Sequence, residues 1–134
     1  YNLDENLVYS IIKAESKFKE DAVSRKGAKG LMQIGDGTRD WAAEELKLEK
    51  VDIFKPQDNI RIGCWYLNRL YREFGDLDLV IAAYNGGSGN VKKWLADEEF
   101  SSDGENLETI PFKETASYVE KVKYNYEMYK KIYN

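Results

Sequence analysis

The chain of 134 residues holds no histidine, one cysteine and two prolines, and each shortage removes a class of chemistry. Without histidine there is no Ser-His-Asp or Cys-His catalytic arrangement and no ordinary histidine zinc site. Carboxylates, tyrosines and amides are what remain for catalysis, and neither a metal nor a cofactor is expected. Cys64 has no second thiol to pair with, and its place in an apolar helical repeat reads as packing. No apolar run approaches the roughly 18 residues of a membrane helix. Neither an initiator Met nor a signal peptide opens the chain at Tyr1, so it reads as an excised or mature domain, with any membrane anchor only outside this segment. A net charge of -4 argues against a dedicated nucleic-acid binder.

What is present fits one globular domain over residues 1–134, with 43% hydrophobic and 33% charged residues and length enough to bury a core. Helical periodicity recurs throughout, and no run alternates as a strand would. The fold class expected is therefore mainly α. A first helix is predicted from about Asp4 to Phe18, capped by Asn2 or Asp4. A loop with Ser24, Gly27 and Gly30 follows, then a short helix over Leu31 to Ile34. Thr38 is placed to cap a helix carrying Trp41, Ala42 and Leu46. Asp58 to Phe74 gives the clearest amphipathic pattern. Gly75 ends it, Asp76 or Asp78 caps the next helix, and Val91, Trp94 and Leu95 suggest a short one. Phe100 to Thr109 reads as an exposed polar loop. Pro111 introduces a final helix whose stripe is Thr115, Tyr118, Val119, Val122, Tyr126, Tyr129 and Tyr133.

Glu15 breaks the pattern of the first helix. With Leu3 at zero and 100° per residue, Leu7, Phe18, Ile11, Val8 and Ile12 fall at roughly 40, 60, 80, 140 and 180°. Glu15 falls at about 120°, inside that apolar arc, while Lys13 and Lys17 lie near 280 and 320°. Partial burial of a carboxylate disfavours its ionised form and makes it a proton donor near neutral pH. The alternative is a core-facing Glu satisfied by an Arg, a Lys or a hydroxyl.

Other local patterns carry polar groups suited to a ligand. The glycines before Met32-Gln33 let backbone approach a ligand closely, and the Gln33 amide offers donors and an acceptor for hydroxyls or acetamides; a helix cap followed by core Met32 explains the same residues. Tyr84-Asn85 enters a glycine-rich turn, where a phenol and an amide can stand at a cleft edge, though Tyr84 can equally be core. Glu114 opens the last helix, where the macrodipole favours a carboxylate, with Tyr118 four residues on along the same face.

In combined order and spacing these segments resemble the lytic transglycosylase catalytic domain, of the SLT type, in the goose-type lysozyme-like superfamily. The carriers are Glu15-Ser16, Ala22-Val23-Ser24, Gly27-Ala28, Gly30-Leu31-Met32-Gln33, Asn59-Ile60 with Gly63, Ala83-Tyr84-Asn85-Gly86, Ile110-Pro111-Phe112, Glu114-Thr115 and Tyr118-Val119. The resemblance covers nearly the whole chain. It implies a mainly α, lysozyme-like single globular domain with a glycan-binding groove. Glu15 matches the family's catalytic acid. Ser24, Met32, Gln33, Tyr84, Asn85, Glu114 and Tyr118 match its substrate-binding positions. Three places depart from the usual pattern: Asp36-Gly37-Thr38 where a proline often precedes the threonine, Gly87 for a common alanine, and Ala116 for a frequent arginine.

The reaction so implied is cleavage of the β-1,4 bond between N-acetylmuramic acid and N-acetylglucosamine in peptidoglycan. One Glu acts as acid and then base, and 1,6-anhydromuramoyl ends form. The partners implied are peptidoglycan glycan strands and no nucleic acid, with fused cell-wall or secretion-machine domains compatible. The setting implied is extracellular, periplasmic or otherwise cell-wall-facing, in a bacterial or phage protein. Two rivals stand beside it: a hydrolytic muramidase (lysozyme), and a noncatalytic peptidoglycan-binding scaffold domain.

Overall fold

The described residues, 2–133, form six helices in a computed structural model, some of them started or stopped by local chemistry. The helices are α1 (Glu5–Ser16), α2 (Asp36–Leu46), α3 (Pro56–Phe74), α4 (Leu77–Gly86), α5 (Ser88–Leu95) and α6 (Lys113–Tyr133). Among the described residues there is no strand, only two isolated bridges, Val23 with Lys29 and Lys29 with Ile34. The mainly α expectation holds.

Of the two expected caps for α1, Asp4 serves: its carboxylate accepts from the Asn6 N–H at 2.9 Å, meeting one of the donors a helix start leaves open. The helix closes at Lys17, in the left-handed conformation with φ 54°. Phe18 is thereby excluded from α1. It has φ 64° and is 48% exposed, contrary to its expected place in the apolar arc. For α2 the expected cap is also displaced. Gly35 is the N-cap, without a side-chain bond, and Thr38 lies inside the first turn. Asp76 rather than Asp78 caps α4, accepting from the Leu79 N–H at 3.1 Å.

The chain divides into two compact units, Tyr1–Asn68 with Asn125–Asn134, and Arg69–Tyr124. In the first, Leu7, Ile11, Met32, Ile62 and Leu67 are fully buried. Gly63 makes room for Met32, since a Cβ there would stand 2.2 Å from the Met32 sulfur. Trp41 packs edge-on against Trp65 with centroids 4.8 Å apart. Buried Asn125, on the inner stripe of α6, donates to the Ser10 carbonyl at 3.3 Å. Tyr133, expected on that stripe, is 65% exposed.

In the second unit Val80, Ile81, Val91 and Val122 are fully buried. Gly87 separates α4 from α5 with φ 91° and ψ 142°, a conformation essentially reserved for glycine. The common alanine at this position would be strained here. The loop before α6 is mostly exposed as expected, yet it carries a dense set of its own hydrogen bonds around Asp103 and buried Ser101.

Candidate active site

Glu15 stands in the last turn of α1, half-buried. Its neighbour Ser16 is buried, and the Ser16 hydroxyl lies 3.1 Å from the Ile12 carbonyl and 2.7 Å from the Leu31 carbonyl. The second contact ties the end of α1 to the segment that carries Met32 and Gln33.

That segment is the clearest departure from the sequence reading. Leu31 to Ile34 is not a helix; it is a chain of turns closed by the reciprocal bonds between Lys29 and Ile34, at 3.0 and 2.9 Å. A run of four apolar or amide residues is too short to nucleate a helix alone, and here distant groups take its backbone. The carboxamide of fully buried Asn59, on α3, accepts from the Met32 N–H at 2.7 Å and donates to the Lys29 and Ile53 carbonyls at 2.9 and 2.8 Å. Gly30 lets it in: its φ is 79°, and a Cβ there would meet the Asn59 amide nitrogen at 2.2 Å.

Gln33 sits on this scaffold with φ 53°, an uncommon conformation for a non-glycine residue. Its Nε2 donates to the Ala22 and Gly30 carbonyls at 3.1 and 2.9 Å. Two carbonyl partners oblige the NH2 end of the amide to face them, so the Oε1 end is the acceptor left for a ligand. Met32 is different. Its side chain is wholly buried, so it holds the segment down rather than offering a surface. The Ser24 hydroxyl accepts from the Ala28 N–H at 3.0 Å and braces a tight exposed turn. At the far end of the segment, the Lys29 ammonium bonds Asp36 at 3.1 Å, with Arg39 at 3.3 Å. Lys29 first and Arg39 second hold the Asp36 carboxyl below its ordinary range.

The other four expected residues lie in the second unit. Tyr84 and Asn85 are half-buried in the last turn of α4. Buried Thr115 donates its hydroxyl to Asn85 Oδ1 at 2.8 Å, which leaves the Asn85 NH2 as a donor. Gly86 brings α4 close to α6: a Cβ there would stand 3.0 Å from the Thr115 hydroxyl and 3.3 Å from the Trp94 ring. Glu114 is exposed in the first turn of α6, and Tyr118, one turn on, is buried. Trp94 and Phe112 meet edge-on at 4.9 Å.

Each unit holds four of the expected residues, and in each a buried polar clamp fixes one of them: Asn59 takes the Met32 N–H, and Thr115 the Asn85 amide oxygen. Neither clamp was named as a site residue from sequence. Both lie on core-facing stripes, three or four residues from Ile62 and Gly63 and from Tyr118 and Val119, and a polar side chain in an apolar stripe is the signal that marked Glu15.

A family model described as "Transglycosylase SLT domain" matches residues 1–107. The chain belongs to that family. This SLT domain is 33% identical over 127 residues to the "Soluble lytic murein transglycosylase" of Salmonella typhimurium, covering 90% of this chain and 20% of that protein. It is 35% identical over 117 residues to the "Membrane-bound lytic murein transglycosylase C" of Photorhabdus laumondii, covering 77% of this chain and 31% of that protein. The SLT chain thus spans about a fifth to a third of the length of these curated relatives. Among solved structures, an inactive glutamate-to-glutamine variant of lytic transglycosylase Slt from Pseudomonas aeruginosa superposes with a TM-score of 0.85 at 34% identity, over 96% of this chain and 22% of that one. The 70-kDa soluble lytic transglycosylase of Escherichia coli gives 0.83 at 28%, over 98% and 22%. A 70-kDa soluble lytic transglycosylase solved in complex with bulgecin A gives 0.84 at 28%, over 98% and 22%. No described helix of the SLT domain is long and apolar enough to cross a membrane.

Proposed function

We propose that this chain is the catalytic domain of a lytic transglycosylase and that Glu15 is its single acid/base. The observation that carries the reading is Glu15 itself, half-buried in the last turn of α1 beside Ser16, whose hydroxyl contacts the Leu31 carbonyl at 2.7 Å. A carboxylate held at a helix end next to an amide-bearing turn can donate a proton to a glycosidic oxygen. The substrate is the β-1,4 bond between N-acetylmuramic acid and N-acetylglucosamine, within peptidoglycan strands. Glu15 gives its proton to the leaving oxygen as the C1–O bond breaks, and the muramoyl N-acetyl oxygen supports C1. The C6 hydroxyl of the same sugar then bonds C1 and returns its proton to Glu15. A 1,6-anhydro ring forms, no water is consumed, and no second carboxylate nucleophile is needed, as in other substrate-assisted exceptions to the two-carboxylate rule.

Gln33 Oε1 and the Asn85 NH2 supply an acceptor and a donor for the acetamide and ring hydroxyls. Tyr84 stabilises developing charge, and Glu114 holds a hydroxyl. Tyr118, Ser24 and Met32 support these groups. The names of the relatives and the inactive glutamate-to-glutamine variant of the Pseudomonas protein support this reading. Residues 1–134 form one catalytic domain of a longer exported or membrane-anchored protein that works on the cell-wall side.

The test is incubation with purified peptidoglycan and mass analysis of the released muropeptides, with Glu15→Gln in parallel. The expected products are anhydro forms that vanish in the variant while glycan binding persists, a loss of at least about 1,000-fold in turnover. Products heavier by one water would assign a muramidase instead. Turnover retained by the variant would remove Glu15 from the mechanism.

A further inference from the structure

Around the circumference of α1, Glu5, Tyr9 and Lys13 lie at about 200, 240 and 280°, well away from Glu15 at about 120°. Glu5, Asn6, Tyr9, Phe18, Tyr129 and Tyr133 line a surface cavity of about 360 Å³. The Tyr129 and Tyr133 rings are near parallel, 13° apart with centroids separated by 6.1 Å, and Tyr9 meets them edge-on at 6.1 and 6.4 Å. Phe18 completes the wall because two successive left-handed residues, Lys17 and Phe18, turn it away from the core. Burying it would have been the ordinary use of such a residue.

Two further observations give the cavity a sign. Among the described residues the Glu5 carboxylate has no ion-pair partner, although its place in the first turn of α1 already suits the helix dipole. The Lys13 ammonium stands 6.0 Å from the Tyr129 centroid, at the outer limit of a cation–π contact. The chain's own cation thus already uses one ring face. Tyrosine faces carry negative potential, and several of them beside a carboxylate with no ion pair among the described residues favour a cation with an apolar coat over a neutral guest.

We propose that this cavity is a binding site for an alkylammonium group, with its charge against the tyrosine faces and Glu5 and its carbons against Phe18. The proposal does not depend on the role of Glu15.

The test is titration of the protein with tetramethylammonium chloride, following the ring resonances of Tyr9, Tyr129 and Tyr133 by NMR. Neutral tert-butanol and lithium chloride serve as matched controls. Saturable shifts with tetramethylammonium and none with either control are expected. Glu5→Gln and Tyr133→Ala, both at exposed positions, should each weaken binding about fivefold, whereas Lys13→Met should tighten it by removing the resident competitor. Equal binding of tert-butanol would overturn the proposal in favour of a plain apolar pocket. Unsaturable shifts, or affinity unchanged by all three variants, would overturn it as well.

Discussion

A single amide does most to hold the turn that carries Gln33. Asn59 is fully buried and makes three hydrogen bonds, to Met32, Lys29 and Ile53. Removing it strands the Met32 N–H and the Ile53 carbonyl and leaves the Lys29 carbonyl with only the Ile34 N–H, and a stranded buried group costs more than the bond itself contributed. Asn59→Ala should therefore lower stability by about 2–4 kcal/mol, about 10 °C in Tm, and should release the Met32 amide to exchange well before global unfolding. If the variant melts within a degree or two of the parent, water has replaced the amide and the clamp is not what fixes the turn. Glu15 presents the same pattern, a polar group on an apolar face, and under the proposed function it serves chemistry where Asn59 serves architecture. Periodicity alone does not separate the two, because it reports where a side chain points and not what it meets.

At the scale of elements, the helices were legible where an apolar stripe repeats, most plainly in α3 over Pro56–Phe74 and least in α2, where Ala42 alone is buried. Leu31 to Ile34 was misread because its backbone partners come from Asn59, 27 residues away in the case of Met32, and no local pattern carries that information. Phe18 kept the helical phase but fell beyond a left-handed cap at Lys17. The loop from Phe100 to Thr109 lacked period and was read as merely exposed, yet it has a centre. Asp103 accepts from the backbone N–H groups of Glu105 and Asn106, both at 2.8 Å, and from the Asn106 side chain at 2.9 Å. The Asn106 backbone first, then its side chain and the Glu105 backbone, hold the Asp103 carboxyl down to about 2. A carboxylate depressed in the folded chain adds order above its unfolded value of about 3.9 and loses that contribution as pH falls toward 2. Amide protection at Glu105 and Asn106 should accordingly persist at pH 5 and collapse near pH 2. A carboxyl titration of Asp103 centred near 4 would show that these bonds do not hold the loop in solution.

The molecule as a whole contains two compact units but two helices common to both: α3 and α6 each run without interruption through residues of one unit and the other. Melting either helix removes packing from both sets of residues, and helix propagation is itself cooperative. One transition is therefore expected on heating rather than two. At 134 residues the calorimetric enthalpy should be about 90 kcal/mol near 60 °C, equal to the van't Hoff value as for a two-state unfolder. Scanning calorimetry at two scan rates, with circular dichroism at 222 nm and tryptophan fluorescence followed in parallel, decides the matter. Coincident curves would mean that residues 1–134 behave as one domain, so that Glu15 and Tyr84 lose their surroundings together. A van't Hoff enthalpy near half the calorimetric one would mean that Arg69–Tyr124 opens separately. In that case the residues of the two units would have independent stabilities, and a substitution such as Asn59→Ala would lower the melting of only one of them.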